Sequence, residues 1–356
     1  MNIMHVLPGK IWGGAEQYAL DLGEALKSKN HKVSYLSYPS QAVMNRMKGI
    51  ENYSCLKLNR FSNSKELMSL VKDKDVIHIH DIRHLAAIMR ACDKIGSKPE
   101  FVLTRHIARA SKVMPWDRKY LLRLKKMIFV SSFAKDLWLS VNPWMPVEKC
   151  SVVINSIPTA SPHAPQTIRE RFSITDRTPL MVFTGRIRKS KGCENIIKAL
   201  SLLKDMEWKM VFIGACKPVG YDEYLTKMAI KNGIGDKVHF YGFADNVREL
   251  IREADLGLAP SIVREACHLS SLEYMQNGIC VITSHNGAQK EYIESGKTGI
   301  LINPSSFTEL SGAIRSMLND EDKRVWIGDH AKLYFENHLS YPIFLNNILK
   351  IYETNY

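Results

Sequence analysis

The sequence is short of the features that would fix its class at once. No apolar run approaches the roughly 20 residues that a membrane-spanning helix requires. Met1 leads into Asn-Ile-Met-His-Val-Leu with neither a basic leader nor a cleavage site. The seven cysteines, at 55, 92, 150, 193, 216, 267 and 280, form no Cys-x-x-Cys pair, so neither a zinc ribbon nor a disulfide framework is indicated. No Gly-x-x-x-x-Gly-Lys-[Ser/Thr] is present, and no Gly-x-Gly-x-x-Gly follows a strand-like run, which argues against P-loop and dinucleotide-dependent enzymes. A reducing compartment, the cytoplasm, is the expected location.

The 356 residues are 45% hydrophobic and 24% charged, the composition of a globular protein of two ordinary domains. The net charge is +13 and is unevenly placed: residues 1–157 hold 25 Lys and Arg against 13 Asp and Glu, whereas 158–356 hold 24 against 23. Charge alone does not choose among nucleic acid, an anionic membrane and a phosphorylated substrate.

Strand-like runs at Asn2–Leu7, Lys32–Leu36, Val76–His80, Phe101–Thr104, Met127–Val130 and Val152–Ile154 alternate with helical periodicity, the pattern of a doubly wound parallel sheet. A stretch with Pro158, Pro162 and Pro165 follows, and the pattern restarts at Leu180–Thr184, Met210–Ile213, Val238–Tyr241, Leu256–Ala259, Ile279–Thr283 and Gly299–Ile302. The expected organisation is an N-terminal domain over 1–157, a linker over 158–178, a second domain over 179–338 and a helix over 339–356 that packs on one domain or the other, the N-terminal one being the expected choice. Two such domains imply a cleft lined by the carboxyl ends of their strands.

Two constellations carry chemistry. In Thr184-Gly185-Arg186-Ile187-Arg188-Lys189-Ser190-Lys191-Gly192, a strand-to-helix loop places Arg186 and Lys191 five residues apart, suited to a pyrophosphate or else a solvated basic turn. In the segment from Pro260 to Glu273, Ser270 and Glu273 fit a capping box, which would make Glu273 a helix cap. Alternatively, Glu273 and Glu265 accept the hydroxyls of a bound ribose and sugar.

Taken in order, these elements resemble the glycosyltransferase family 4 enzymes of the GT-B fold, over essentially the whole chain. The resemblance implies an α/β architecture of two Rossmann-like, doubly wound parallel-sheet domains facing a central cleft, with the donor nucleotide-sugar in the C-terminal domain and the acceptor in the N-terminal one. A Gly-Arg-x4-Lys-Gly loop supplies the diphosphate-binding residues Arg186 and Lys191. The Glu-x7-Glu element falls on Glu265, near the donor sugar, and Glu273, on the ribose, with Leu269 and Ser270 between them also on the donor. Gly13 and Gly14 form the N-terminal loop whose amides approach the diphosphate, and Val238–Phe243 matches the strand and turn before the nucleobase pocket. His106, at the carboxyl end of a strand, corresponds to an active-site histidine. One departure stands out: Ala266-Cys267-His268-Leu269-Ser270 replaces the family's Gly-Phe-Gly-Leu-Pro, which bears on donor identity.

The implied activity is retaining transfer from a nucleoside-diphosphate sugar, UDP-linked, to a glycan or lipid-linked acceptor in polysaccharide, lipopolysaccharide or glycolipid synthesis, with no metal and no cofactor. Asp73-Lys74-Asp75 mimics a metal-binding DxD but precedes a strand and reads as a turn, and His78 and His80 beside Asp81 read as structural rather than as metal ligands. Arg105, Arg109, Lys112, Arg118, Lys119, Arg123, Lys125 and Lys126 crowd into 105–126, with Trp116, Tyr120, Leu121 and Leu124 at helical spacing. This is the expected contact with the acceptor or an anionic membrane surface at the cytoplasmic face, unless it is an ordinary domain helix with solvated charges. No nucleic-acid-binding module is visible. Two other readings remain: an inactive GT-B-like binding partner, and a nucleotide-sugar epimerase, which would convert the donor without an acceptor.

Overall fold

The computed structural model describes residues 1–9, 11–59, 62, 64–159 and 167–354; Pro162 and Pro165 of the expected linker lie outside these residues. Two compact units are present, Met1–Asn155 with Tyr341–Tyr356, and Ser156–Ser340.

The first unit holds a seven-stranded parallel sheet of β1 (Asn2–Val6), β2 (Lys32–Ser37), β3 (Tyr53–Cys55), β4 (Val76–Ile79), β5 (Glu100–Arg105), β6 (Lys126–Phe129) and β7 (Cys150–Val152), in the order β3-β2-β1-β4-β5-β6-β7. The second holds six parallel strands, β8 (Leu180–Thr184), β9 (Lys209–Ile213), β10 (Val238–Gly242), β11 (Leu256–Ala259), β12 (Cys280–Ser284) and β13 (Ile300–Ile302), in the order β10-β9-β8-β11-β12-β13. Central strands such as β4, β8, β11 and β12 are buried along their whole length, as expected where helices cover both faces of a parallel sheet. Short polar side chains start several of the helices. Ser64, Asp81, Ser131 and Ser306 each accept a hydrogen bond from a backbone N–H two or three residues on, satisfying a donor that the helix itself leaves open.

Strand β3 is not foreshadowed in the sequence, because three half-buried edge residues are too few to show a period. Part of the stretch expected as a linker is ordered structure of the second unit. Thr167 and Glu170 form a capping box on the helix Ile168–Phe172, and Arg169 is paired with Asp255 at 3.0 Å.

The helix Tyr341–Glu353 belongs to the first unit. Its residues Phe344, Leu345, Ile348 and Tyr352 share one apolar core with Ile3, Tyr18, Leu22 and Tyr35. Ile348 is fully buried there. Ile348→Ala is expected to cost about 2–5 kcal/mol, read as lost amide protection in β1 and β4 by hydrogen exchange. A loss confined to β8 and β11, or none, would contradict the assignment.

Candidate active site

In a doubly wound sheet, ligands bind beyond the carboxyl ends of the strands where the strand order reverses. In the second unit that point lies between β8 and β11. The loop after β8 contains Gly192 at φ +80°, and a Cβ there would lie 2.0 Å from the Pro260 carbonyl oxygen, so only glycine lets the loops after β8 and β11 approach this closely. Beside that contact, Lys191 Nζ donates to Glu265 Oε1 at 2.8 Å, and Ser261 Oγ donates to the same oxygen at 2.6 Å. Burial opposes ionisation of Glu265, but the positive charge of Lys191 and the two hydrogen bonds outweigh it and hold the carboxyl below its usual range. Arg186 is exposed and makes no hydrogen bond or ion pair among the described residues.

Glu273 has the opposite environment. The helix that carries it runs Leu269–Gln276, with His268 as the residue before its first turn and no side-chain cap. The capping box anticipated for Ser270 and Glu273 therefore does not form, because the helix starts two residues earlier than that box requires and Ser270 Oγ donates to the Thr184 carbonyl at 2.8 Å instead. Thr184 Oγ1 donates to Glu273 Oε2 over 3.4 Å, a long bond. Glu273 is partly exposed as a residue, yet protein surrounds its carboxyl closely enough that burial pushes its pKa up to about 7. The replaced segment folds inward: His268 is buried, its backbone N–H donates to the Tyr292 hydroxyl at 3.1 Å, and burial lowers the pKa of its ring to about 4.

In the first unit the order reverses between β1 and β4. Gly13, in extended conformation, precedes the helix Gly14–Ser28 and adds no side-chain cap, so the first N–H groups of that 15-residue helix stay open to a ligand. A cavity of about 940 Å³ opens here, with Pro8, Gly9, Arg83, Arg105, Lys112 and Trp138 in its wall.

The same sheet carries a row of histidines. His5 on β1 is in register with His78 on β4, His80 follows β4 and His106 follows β5. His5 Nδ1 meets His80 Nε2 at 3.0 Å, and His80 Nδ1 meets His106 Nε2 at 3.1 Å. His78 is held by Tyr352 at 2.5 Å and Thr104 at 2.6 Å. Ring nitrogens of His5, His78 and His80 lie within 4.8 Å of one another, close enough for a cation. Hydrogen bonds already occupy both nitrogens of His78 and both of His80, so this donor set fits a hydrogen-bonded row better than a metal shell. Asp73 and Asp75 form a turn at the amino end of β4, held by Asn2, at the opposite end of the strands from the cavity.

Residues 12–161 match the model of Glycosyltransferase Family 4, and residues 165–334 match that of Glycosyl transferases group 1. The chain belongs to the family 4 glycosyltransferases. It is 25% identical to an uncharacterized glycosyltransferase of Methanocaldococcus jannaschii over 91% of this chain and 90% of that one. It is also 21% identical to the N-acetyl-alpha-D-glucosaminyl L-malate synthase of Bacillus anthracis, over 90% and 88% respectively. The crystal structure of Anabaena HepE in complex with UDP and glucose superposes with a TM-score of 0.79 at 17% identity, covering 98% of both chains, and shares the GT-B fold.

The basic stretch of this glycosyltransferase is not one amphipathic helix. The helix spans only Pro115–Leu121, and Lys126 opens β6. Tyr120, Leu121 and Leu124 are buried in the domain, while Trp116 is 53% exposed. Arg123 pairs with Asp93, Lys125 donates to the Tyr352 carbonyl and Lys126 to that of Glu148, so these three cations serve the fold. Arg118 lies over the Trp144 ring, Lys119 over Tyr120, and Arg109 accepts from Arg105 through its carbonyl. Among the described residues no helix is long and apolar enough to cross a membrane. Of the partners missed by sequence, His5 and Tyr352 are far from the motifs in the chain, whereas Thr104, Thr184 and Ser261 lie within or beside them but carry no local sign of the contacts they make. Only the His-x-His run beside an N-terminal histidine gave any signal.

Burial lowers the pKa of His5 and His106 to about 3 and that of His78 and His80 well below the usual value, so all four rings are uncharged in the fold. In the unfolded chain they take up protons below about pH 6.5. Their contribution to stability is therefore complete above that pH and lost as the pH falls towards 3, by about 1.4 kcal/mol per pH unit for each ring. The melting temperature of the first unit is expected to drop steeply between pH 6.5 and 4.5, less so in His5→Phe; a flat profile would refute the uncharged row.

Proposed function

We propose that this glycosyltransferase moves a sugar from a UDP-sugar to a glycan or lipid-linked acceptor, with retention of configuration and without a metal ion. The observation that carries the reading is the pair of unlike carboxyls, Glu265 and Glu273, at the order reversal of the second sheet beside Lys191. The Anabaena structure, solved in complex with UDP and glucose, supports the donor class.

Glu273, with a single long hydrogen bond, has acceptor capacity to spare, and two ribose hydroxyls would fill it. Arg186, without a partner, and Lys191, with two of its three donors uncommitted, would meet the diphosphate along with the N–H groups of Leu269 and Ser270 at the start of their helix. These charges stabilise the leaving UDP as its negative charge grows, the task a metal ion would otherwise perform. Glu265, held ionised, accepts hydroxyls of the donor sugar. No side chain is assigned as a covalent nucleophile. The acceptor hydroxyl attacks the anomeric carbon on the face that UDP leaves, its proton passing to the departing phosphate oxygen as the C–O bond breaks. His106 is assigned to the acceptor side: His80 occupies its Nε2, leaving Nδ1 for substrate. A lipid-carried acceptor would find Met114 and Trp116 exposed, with Arg118 and Lys119 nearby.

Lys191→Ala is expected to lower turnover by about 10²- to 10³-fold with an unchanged circular dichroism spectrum; near-normal transfer would refute its role. Ribose hydroxyls favour the ionised form of Glu273, so its pKa falls below 7 on binding. UDP affinity should accordingly rise with pH through 7, with proton release detectable by titration calorimetry in buffers of different ionisation enthalpy. Release that persists in Glu273→Gln would show that another group is responsible.

A further inference from the structure

Arg105 is 8% exposed, and its Nε is buried without a hydrogen-bond partner. Both of its hydrogen bonds leave from Nη2, to the Arg109 carbonyl and to Ser111 Oγ, each at 2.9 Å, and both acceptors are uncharged. No carboxylate lies within ion-pair distance of it among the described residues. Asp81 favours its charge only from beyond ion-pair distance, and a buried guanidinium with no carboxylate in contact is costly unless something supplies one. The neighbouring Arg83 shows the contrast, being paired with Asp81 at 2.7 Å.

Arg105 forms part of the wall of the 940 Å³ cavity, together with the exposed Lys57 and Lys112. The acids in that wall are Glu16 and Asp117, and neither is within pairing distance of Arg105. Val113, Met114, Ile11 and Trp138 supply apolar wall beside these charges. Fixed donors on a planar, permanently charged group beside an apolar wall match a phosphate or carboxylate carried on a larger body, because a guanidinium can present two parallel N–H bonds to such an oxyanion.

We propose that the acceptor of this enzyme carries an anionic group, phosphate or carboxylate, which binds Arg105 with Lys112 at the rim of the cavity. This rests on the acceptor-side assignment of the first unit under the proposed function.

The test is titration calorimetry with glucose, glucose 6-phosphate, malate and dodecyl phosphate, with UDP titrated separately. At least one anionic probe should bind 10-fold or more tightly than glucose. Arg105→Gln should remove that preference and leave UDP affinity unchanged, while Arg105→Lys keeps part of it. Dodecyl phosphate binding alone identifies a lipid headgroup as the source of the anion; glucose 6-phosphate or malate binding identifies a soluble one. No preference for any anion, or one that survives in Arg105→Gln, overturns the proposal. If both Arg105 variants fail to fold, Lys112→Ala takes their place, and an undiminished preference in that variant overturns it equally. Absence of UDP binding alongside an intact anion preference would sink the UDP-donor reading and leave this one standing.

Discussion

The first unit is organised around imidazoles that must stay uncharged. Burying three of them, with a half-buried fourth at the end of the row, is tolerable only if nearly every buried ring nitrogen finds a hydrogen-bond partner, since an orphaned polar atom in the interior costs about 1–3 kcal/mol. The sheet meets this demand by geometry. Parallel register puts His5 beside His78, the next strand end delivers His80 to His5, and β5 delivers His106 to His80. The remaining partners, both for His78, come from Thr104 on β5 and from Tyr352, on a helix remote in sequence. Because the row ends at His106, the orientation of that ring is set by packing several residues beneath it, which favours a site that keeps its shape before substrate arrives.

The second unit uses environment differently. Two glutamates eight residues apart on one polypeptide segment acquire opposite tendencies, Glu265 drawn towards ionisation by Lys191 and Ser261, Glu273 pushed away from it by burial. Identical side chains thereby serve distinct ends, one as a fixed charge and one as a group that completes its ionisation when a ligand supplies donors. The loops that hold them meet at Gly192, where close backbone approach leaves no room for a side chain.

The sheets were legible because their strands are short apolar runs separated by helical periodicity, and most bounds fell within two residues. β3 escaped because three edge residues carry no pattern. Glu273 was ambiguous because S-x-x-E is a local signature, whereas the actual start of the helix is decided by Ser270 reaching across to the end of β8. The basic stretch misled for a similar reason. Helical spacing from Trp116 to Leu124 is visible in sequence, but the turn that ends the helix at Leu121 and the recruitment of Arg123, Lys125 and Lys126 by Asp93, Tyr352 and Glu148 depend on neighbours that only the fold supplies. His106 could be placed at a strand end, while its support by His80 and His5 required the register.

The helix Tyr341–Glu353 has a consequence for biosynthesis. It fills the core of a domain whose other elements end at Asn155, yet the intervening Ser156–Ser340 must be made first. At synthesis rates of about 5–20 residues per second, those residues occupy the ribosome for roughly 10–40 s. During that interval the seven-stranded sheet is complete in sequence but lacks its closing helix, and the second domain emerges and can fold before the first is sealed. The first domain of this chain is therefore sealed only after the whole of the second has been synthesised.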